Sequence, residues 1–227
     1  MSQRDPVRTT PTLEAYVGAV VRAWTDDAPC SREACAVLWA QYMIETGGKA
    51  CWNWNIGNVK ASDLSRPWHA LRGVWEGVSA AEAARLVAAG EAVLDANAAH
   101  QRAVAPRTAV VFEPPHPATR FRSFDSLDEA MGEHLALLRR RFSRGWPGVL
   151  AGDVVAFARG LRAQGYFTAS AEAYAAGMRA PFAAALASGA YEMATDPRPE
   201  PDMGGPVHGT HVVDAALGDV ADREPIA

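Results

Sequence analysis

Apolar residues recur at helical spacing through most of the chain. In residues 11–24 they fall at Leu13, Val17, Val20, Val21 and Trp24, which predicts a first helix. Thr25-Asp26-Asp27-Ala28-Pro29 breaks the pattern. Ser31 follows as an N-cap with Glu33 in the first turn, so a second helix is expected through Ala34, Leu38, Tyr42 and Glu45. Gly47-Gly48 should stop it. The next stretch, Cys51-Trp52-Asn53-Trp54-Asn55-Ile56-Gly57-Asn58-Val59-Lys60, has no period and reads as an ordered loop.

Residues 79–103 are alanine-rich and helix-prone, with an interruption at Gly90. Thr108 to Phe112 is a β-type run, Pro114-Pro115-His116-Pro117 turns it, and residues 119–124 could return, which predicts a small hairpin. Ser126 starts a helix whose first turn holds Asp128 and Glu129 and whose last holds Arg139, Arg140 and Arg141, an order that suits the helix dipole. Residues 147–164 and 170–193 read as further helices. Residues 1–10 are polar and expected to fray, and from Thr195 the period gives way to Pro, Gly and Asp. The expected architecture is therefore mainly α (α+β): one domain over 1–194 and a flexible tail over 195–227.

Composition narrows the function classes. Hydrophobic residues at 49% and charged residues at 21% describe a soluble globular chain long enough for a real core. A net charge of −4 argues against a nucleic-acid partner. No apolar run is long enough to span a membrane. The N-terminus does not read as a signal peptide, so synthesis in the cytoplasm is expected, with action after release, injection or secretion. A monomer is expected. Of three cysteines, Cys30 and Cys35 could pair, but small buried thiols are the favoured reading. No histidine stands near them at ligand spacing, so neither metal nor cofactor is expected.

Glu45 is the residue that stands out. A glycosidase needs a carboxylic acid still protonated near neutral pH to protonate the leaving oxygen. A carboxylate at a helix C-terminus faces the negative end of the dipole, and Tyr42, Ile44, Trp52 and Trp54 lie close enough in sequence to desolvate it. Alone, such a glutamate is more often a surface residue at a frayed end. The following loop alters that weighing. Trp52 and Trp54 could stack on sugar rings or fill the core, while Asn55 and Asn58 could bond hydroxyl and acetamido groups. Gly57 would allow close backbone approach to a ligand.

Glu45-Thr46-Gly47-Gly48 followed by the Trp/Asn/Gly loop ending at Lys60 resembles the N-acetylglucosaminidase branch of the lysozyme superfamily, which includes autolysins, flagellar-rod-type muralytic enzymes and phage lysins. Phe121-Arg122-Ser123-Phe124-Asp125-Ser126 and Gly165-Tyr166-Phe167-Thr168 with Tyr174-Ala175 are similar to two later segments of that branch. The resemblance implies a lysozyme-like helical lobe, a small β-hairpin lobe and a groove between them that takes peptidoglycan glycan strands. It implies general acid catalysis by Glu45 and a groove tyrosine, Tyr166 first and Tyr174 second. It implies an endo-acting N-acetylglucosaminidase, with lytic transglycosylation or a non-catalytic glycan-binding role in a phage tail or secretion apparatus as alternatives.

Three departures stand out. Ala169 and Ser170 replace a frequent Asp, residues 61–120 are unusually helix-prone, and a second carboxylate is not obvious. Glu113 is the first candidate for it, with Glu76 and Asp63 behind. Asp125 reads more simply as a helix cap.

Overall fold

A computed structural model describes residues 3–195 apart from Lys49 and Thr168. Residues 196–227, expected to form a tail, lie outside the described residues. In chain order the elements are β1 (Gln3–Arg4), β2 (Arg8–Thr9), α1 (Leu13–Ala23), α2 (Arg32–Glu45), β3 (Cys51–Trp52), β4 (Trp68–Ala70), β5 (Val74–Val78), α3 (Ala80–Ala88), β6 (Val93–Leu94), α4 (Ala98–Val104), β7 (Thr108–Phe112), β8 (Arg120–Arg122), α5 (Leu127–Arg141), α6 (Trp146–Ala151), α7 (Val154–Ala163), α8 (Ala171–Ala187) and α9 (Ala190–Thr195). The fold is mainly α with small sheets, in the α+β class expected.

Side-chain caps set most helix starts. Thr12, Ser31, Ser79, Asn97, Ser126, Asp153 and Ser170 each accept a backbone N–H in the first turn of the helix they precede. At α5 the Ser126 hydroxyl accepts from Glu129 N at 3.1 Å, while the Glu129 carboxylate accepts from Asp125 N at 2.7 Å. Serine, not Asp125, is therefore the cap, and Asp125 pairs with Arg4. The helix expected over 147–164 is two helices, because Gly152 turns left-handed at φ 65° and Asp153 starts α7 afresh.

α2 is the axis of the helical lobe. Ala34, Cys35, Ala36, Val37, Leu38, Ala40, Gln41 and Tyr42 are all buried, so apolar surface is needed on nearly every side of it. α1, α6 and α8 supply that surface, with α5 and α7 behind them. The core runs through Tyr16, Leu38, Met131, Leu135, Leu138, Phe157, Leu161 and Met178. Cys30 and Cys35 sit within it as free thiols whose sulfurs lie 3.3 Å apart.

The β structure differs from expectation in two ways. First, β7 and β8 do not form a hairpin. β7 pairs antiparallel with β5 and β6, whereas β8 pairs with β4, which also takes β1 in parallel. The partners come from segments 74–78 and 93–94, whose strand character was masked by alanine-rich surroundings. α3 and α4 pack on this second sheet around two small cores, Ala83, Leu86, Val110 and Phe112 on one side and Trp75, Val104 and Ala109 on the other. Second, residues 3–9, within the stretch expected to fray, hold the strands β1 and β2. β2 pairs with β3, and Asn53 ties the segment down.

Asn53 is buried, and its side chain accepts from Val7 N at 2.6 Å and donates to Asp5 O and to Ser123 Oγ, both at 3.0 Å. Its backbone is left-handed at φ 48°. Asn53→Ala should leave buried groups unpaired and place an alanine in a left-handed well, costing about 2–4 kcal/mol. Urea unfolding measures the loss, and faster proteolysis near residue 7 should accompany it.

Candidate active site

Glu45 is the last residue of α2, and the chain leaves the helix there in a Schellman turn. Gly48 N donates to Met43 O at 2.8 Å and Gly47 N to Ile44 O at 3.2 Å. Gly47 and Gly48 hold φ of 59° and 71°, a region that glycine enters without a Cβ penalty. One helix-end carbonyl is taken by a side chain instead. The Asn58 amide donates to Glu45 O at 2.8 Å, which fixes the loop against the helix end.

Most of the loop that looked like a sugar-binding surface is framework. Asn55 is buried, donates to Val59 O at 3.0 Å and Arg122 O at 3.1 Å, and accepts from Val59 N at 2.8 Å. It closes the loop on itself and on the strand entering α5, so its expected role in binding substrate is corrected. Trp54 packs on the helical core, with its backbone N–H bonded to Thr9 Oγ1 at 2.9 Å, which decides for core packing. Trp52 is half-buried in β3 with the Arg8 guanidinium 5.2 Å from its ring. Asn58 is exposed beside Glu45. Gly57 makes the close approach expected of it, but to His134: a Cβ there would lie 2.6 Å from His134 Nδ1.

The Glu45 carboxyl is half-buried and faces inward to a cluster of polar groups. Tyr174, near the start of α8, donates its hydroxyl to Glu45 Oε1 at 2.7 Å. Phe167 stacks on the Tyr174 ring at 4.1 Å and fixes its plane. Tyr166 also lies close enough for the charge on Glu45 to raise its pKa, after burial, but its hydroxyl is buried without a hydrogen-bond partner. The order of the two tyrosines is thus reversed: Tyr174 touches the carboxyl and Tyr166 stands behind it.

Two members of the cluster escaped sequence reading. Gln41, one turn before Glu45 on the same face of α2, is fully buried, and its Oε1 lies 3.1 Å from His134 Nε2. Its position was the available signal: a glutamine four residues before the acid, inside a run of Ala, Val and Leu. His134 belongs to the buried stripe of Ala130, Met131, Leu135 and Leu138, where periodicity alone made it look like filler.

Burial pushes the Glu45 carboxyl up to about 7, while the hydrogen bond from Tyr174 pulls it down. Burial also pushes both phenols well above their usual value and takes the His134 imidazole down to about 4. At neutral pH the cluster therefore holds neutral tyrosines, a neutral histidine and a carboxyl poised near half-protonation. That state suits proton transfer to or from a bound group.

No family model matches the chain, and no curated protein matches it. Solved structures do match. The peptidoglycan hydrolase from Sphingomonas sp. A1 is 21% identical, over 77% of this chain and 96% of that chain, with a TM-score of 0.38. A mutant of the same hydrolase is 20% identical over 80% and 97%, with a TM-score of 0.36. The chain is similar to these proteins at a level too low to carry an activity across.

The other carboxylates lie outside the cluster. Glu113 is not at a hairpin tip: it follows β7, accepts from Gly73 N at 3.0 Å, and lines a shallow depression with Gly90, Val93, Val111 and His116. No member of the Glu45 cluster lines that depression. Asp63 caps Ser65 N at 2.9 Å, and that bond holds its carboxyl below its usual value. Glu76 on β5 pairs with Lys60 at 2.8 Å, and Lys60 also donates to Ala118 O. Lys60 ends the same loop whose Asn58 binds Glu45 O.

The Glu45 pKa has a consequence for stability. A carboxyl at about 7 in the folded chain and 4.5 when unfolded holds its proton more tightly when folded. Stability from this group therefore falls as pH rises from 4.5 to 7 and stays low above that, a cost of about 3 kcal/mol. Glu45→Gln, which still accepts from Tyr174, is expected to stabilise the protein at pH 8 and to match wild type at pH 4. Thermal unfolding at both pH values tests this, and an equal gain at both would refute it.

Proposed function

We propose that the chain is a peptidoglycan hydrolase of the N-acetylglucosaminidase type, cutting the β-1,4 glycosidic bond of the glycan strand with Glu45 as general acid. One observation carries the reading: a half-buried carboxyl, raised to about 7 by burial, holds a tyrosine hydroxyl at 2.7 Å at the edge of the helical lobe. A purely structural glutamate gains nothing from that placement. An acid that must be protonated before the leaving oxygen departs, and be reprotonated afterwards, gains a pKa near the working pH.

The remaining roles follow from the neighbours. Trp52 and the exposed Asn58 are the candidates to contact sugar. Glu76, paired with Lys60 at 2.8 Å, is a better candidate than Glu113 to activate water or to stabilise positive charge at the anomeric carbon. The presence of a single carboxylate in the buried cluster favours one further chemistry. In lytic transglycosylation Glu45 would act first as acid, then as base toward the muramyl 6-hydroxyl, and no second carboxylate would be needed.

Digestion of purified sacculi distinguishes these readings. The wild-type protein should release muropeptides, and Glu45→Gln should lower the rate by about 10²-fold or more, the usual worth of a general acid. Equal release by both proteins would remove Glu45 from the mechanism. Products carrying a reducing end indicate hydrolysis, whereas 1,6-anhydromuramyl ends, lighter by one water, indicate transglycosylation. Saturable glycan binding without turnover at any pH would indicate a binding protein.

The pH profile gives a separate test. Because the acid must carry its proton, kcat/KM should fall as pH rises through about 7. Tyr174→Phe removes the bond that lowers the Glu45 pKa, so the falling limb should move to higher pH. A limb that does not move would break the assignment of that limb to Glu45.

A further inference from the structure

One hydroxyl caps the start of α2. Ser31 Oγ accepts from Ala34 N at 3.0 Å, and Ser31 O accepts from Cys35 N at 3.1 Å. Ala34 stands where a glutamate would reach back to complete a capping box. The side chains one residue before such a cap and four residues after it meet across the first turn, where an apolar contact commonly closes it. Here those two positions are Cys30 and Cys35, and their sulfurs lie 3.3 Å apart. We infer that this pair is a redox-active dithiol, which a small-molecule or protein disulfide oxidises to a Cys30–Cys35 disulfide that staples the start of α2.

The geometry favours this pairing. Cys30 and Cys35 are 7% and 1% exposed, and each thiol has the other as its sulfur neighbour. Cys51 is engaged elsewhere: its sulfur lies 3.2 Å from Thr9 Oγ1 and 3.4 Å from Thr9 O, where β2 pairs with β3. A disulfide bond of about 2.0 Å needs the Cys30 and Cys35 sulfurs to close by roughly 1 Å, a distance that rotation about the two Cα–Cβ bonds supplies. The turn before Cys30 has room to follow, since Asp27, Ala28 and Pro29 are exposed. Two thiols also bury far less apolar surface than two leucines, so cysteine at both positions makes a poor staple until the bond forms.

The exchange balances with the oxidant alone. Cys30, the more exposed thiol, attacks one sulfur of the oxidant as its thiolate and displaces the other as a thiolate, which leaves a mixed disulfide. Cys35 then attacks Cys30 Sγ and displaces the second thiolate. The protein gives up two protons and two electrons, and the oxidant disulfide becomes two thiols. The hydrogen bond with Cys30, and then burial, hold the Cys35 thiol well above its usual value, which suits it to the later step.

The staple acts on stability and leaves the reaction alone. α2 has 14 residues at about 1.5 Å of rise each, so Cys35 sits about 15 Å along the axis from Glu45. Cys30 is also the seat of α9: the Tyr191 hydroxyl donates to Cys30 O at 2.5 Å, and Glu192 pairs with Arg32. A covalent link across Ser31 therefore secures both the first turn of α2 and the segment on which α9 rests.

The full chain is refolded from denaturant in a buffer of reduced and oxidised glutathione, where burial does not limit access, then alkylated and cut with trypsin. Cleavage after Arg22, Arg32, Lys49 and Lys60 puts the three cysteines in separate peptides, 23–32, 33–49 and 50–60. Without reduction, 23–32 and 33–49 should appear as one species, two hydrogens lighter than the two peptides together, with 50–60 alkylated. The oxidised protein should melt about 5 °C above the reduced one, and dithiothreitol should remove the gain. Alkylation of all three cysteines, glutathione retained on Cys30, a link through Cys51 or equal melting of the two states would overturn the inference.

Variants separate the pair from the third thiol. The melting gain should vanish in Cys30→Ser and persist in Cys51→Ser, and the reverse pattern would also overturn it. If Cys30→Ser fails to fold, the wild-type peptide map decides by itself. Neither readout involves cleavage of sacculi, so Glu45 can fail as the acid while the staple stands, and the staple can fail while Glu45 stands.

Discussion

Holding the Glu45 carboxyl out of water is the constraint from which the rest of the site can be reasoned. Desolvation favours the protonated form, and a single neutral hydrogen bond from Tyr174 partly offsets it. For that hydrogen bond to exist, α8 must lie along α2 with Tyr174 facing the helix end, and Phe167 must stack on the ring. For the helix end to be fixed, the chain must leave α2 through two left-handed glycines and return with Asn58 on the last carbonyl. Each of these is a packing or hydrogen-bonding requirement on the residues that surround the carboxyl. Together they fix where one proton can sit.

The same logic explains why so little of the loop over 51–60 is available to a ligand. A segment with no regular structure must satisfy its backbone groups some other way, and burying it requires polar side chains that reach inward. Asn53 and Asn55 do this, one for the N-terminal segment and one for the loop itself. Asparagine suits both tasks because its amide imitates a peptide group and tolerates a left-handed backbone. The chemistry that makes Asn a good partner for an acetamido sugar therefore also makes it a good partner for the chain. Composition cannot separate the two uses, which is why Asn55 was read as a binding residue and proved to be framework.

What was legible in the sequence was local. Ser31, Ser126 and Ser170 announce helix starts through a hydroxyl and the N–H groups it can reach, and the helices begin where those residues stand. Glu45 was legible for a similar reason, because glycine after an apolar helix fixes the end to within a residue. Strand pairing was not legible. Thr108–Phe112 was recognised as a strand, but its partners come from either side of α3, and nothing within five residues encodes that choice. The two tyrosines illustrate the same limit. The motif put Tyr166 first and Tyr174 second, and only the course of the chain between α7 and α8 decides which hydroxyl meets the acid.

The cluster behind Glu45 also bears on which chemistry the site can sustain. An acid shielded from water and lacking any donor would stay protonated, and its conjugate base would be too high in energy to form during turnover. An acid with several donors or a nearby cation would ionise early and have no proton to give at neutral pH. One hydroxyl, drawn from a neutral tyrosine, lies between these limits. A buried lysine or arginine in place of Gln41 would be expected to overshoot, because its full charge would act on the carboxylate at low effective dielectric. A neutral amide supplies only a dipole, and that dipole can be pinned by a neutral imidazole on its far side.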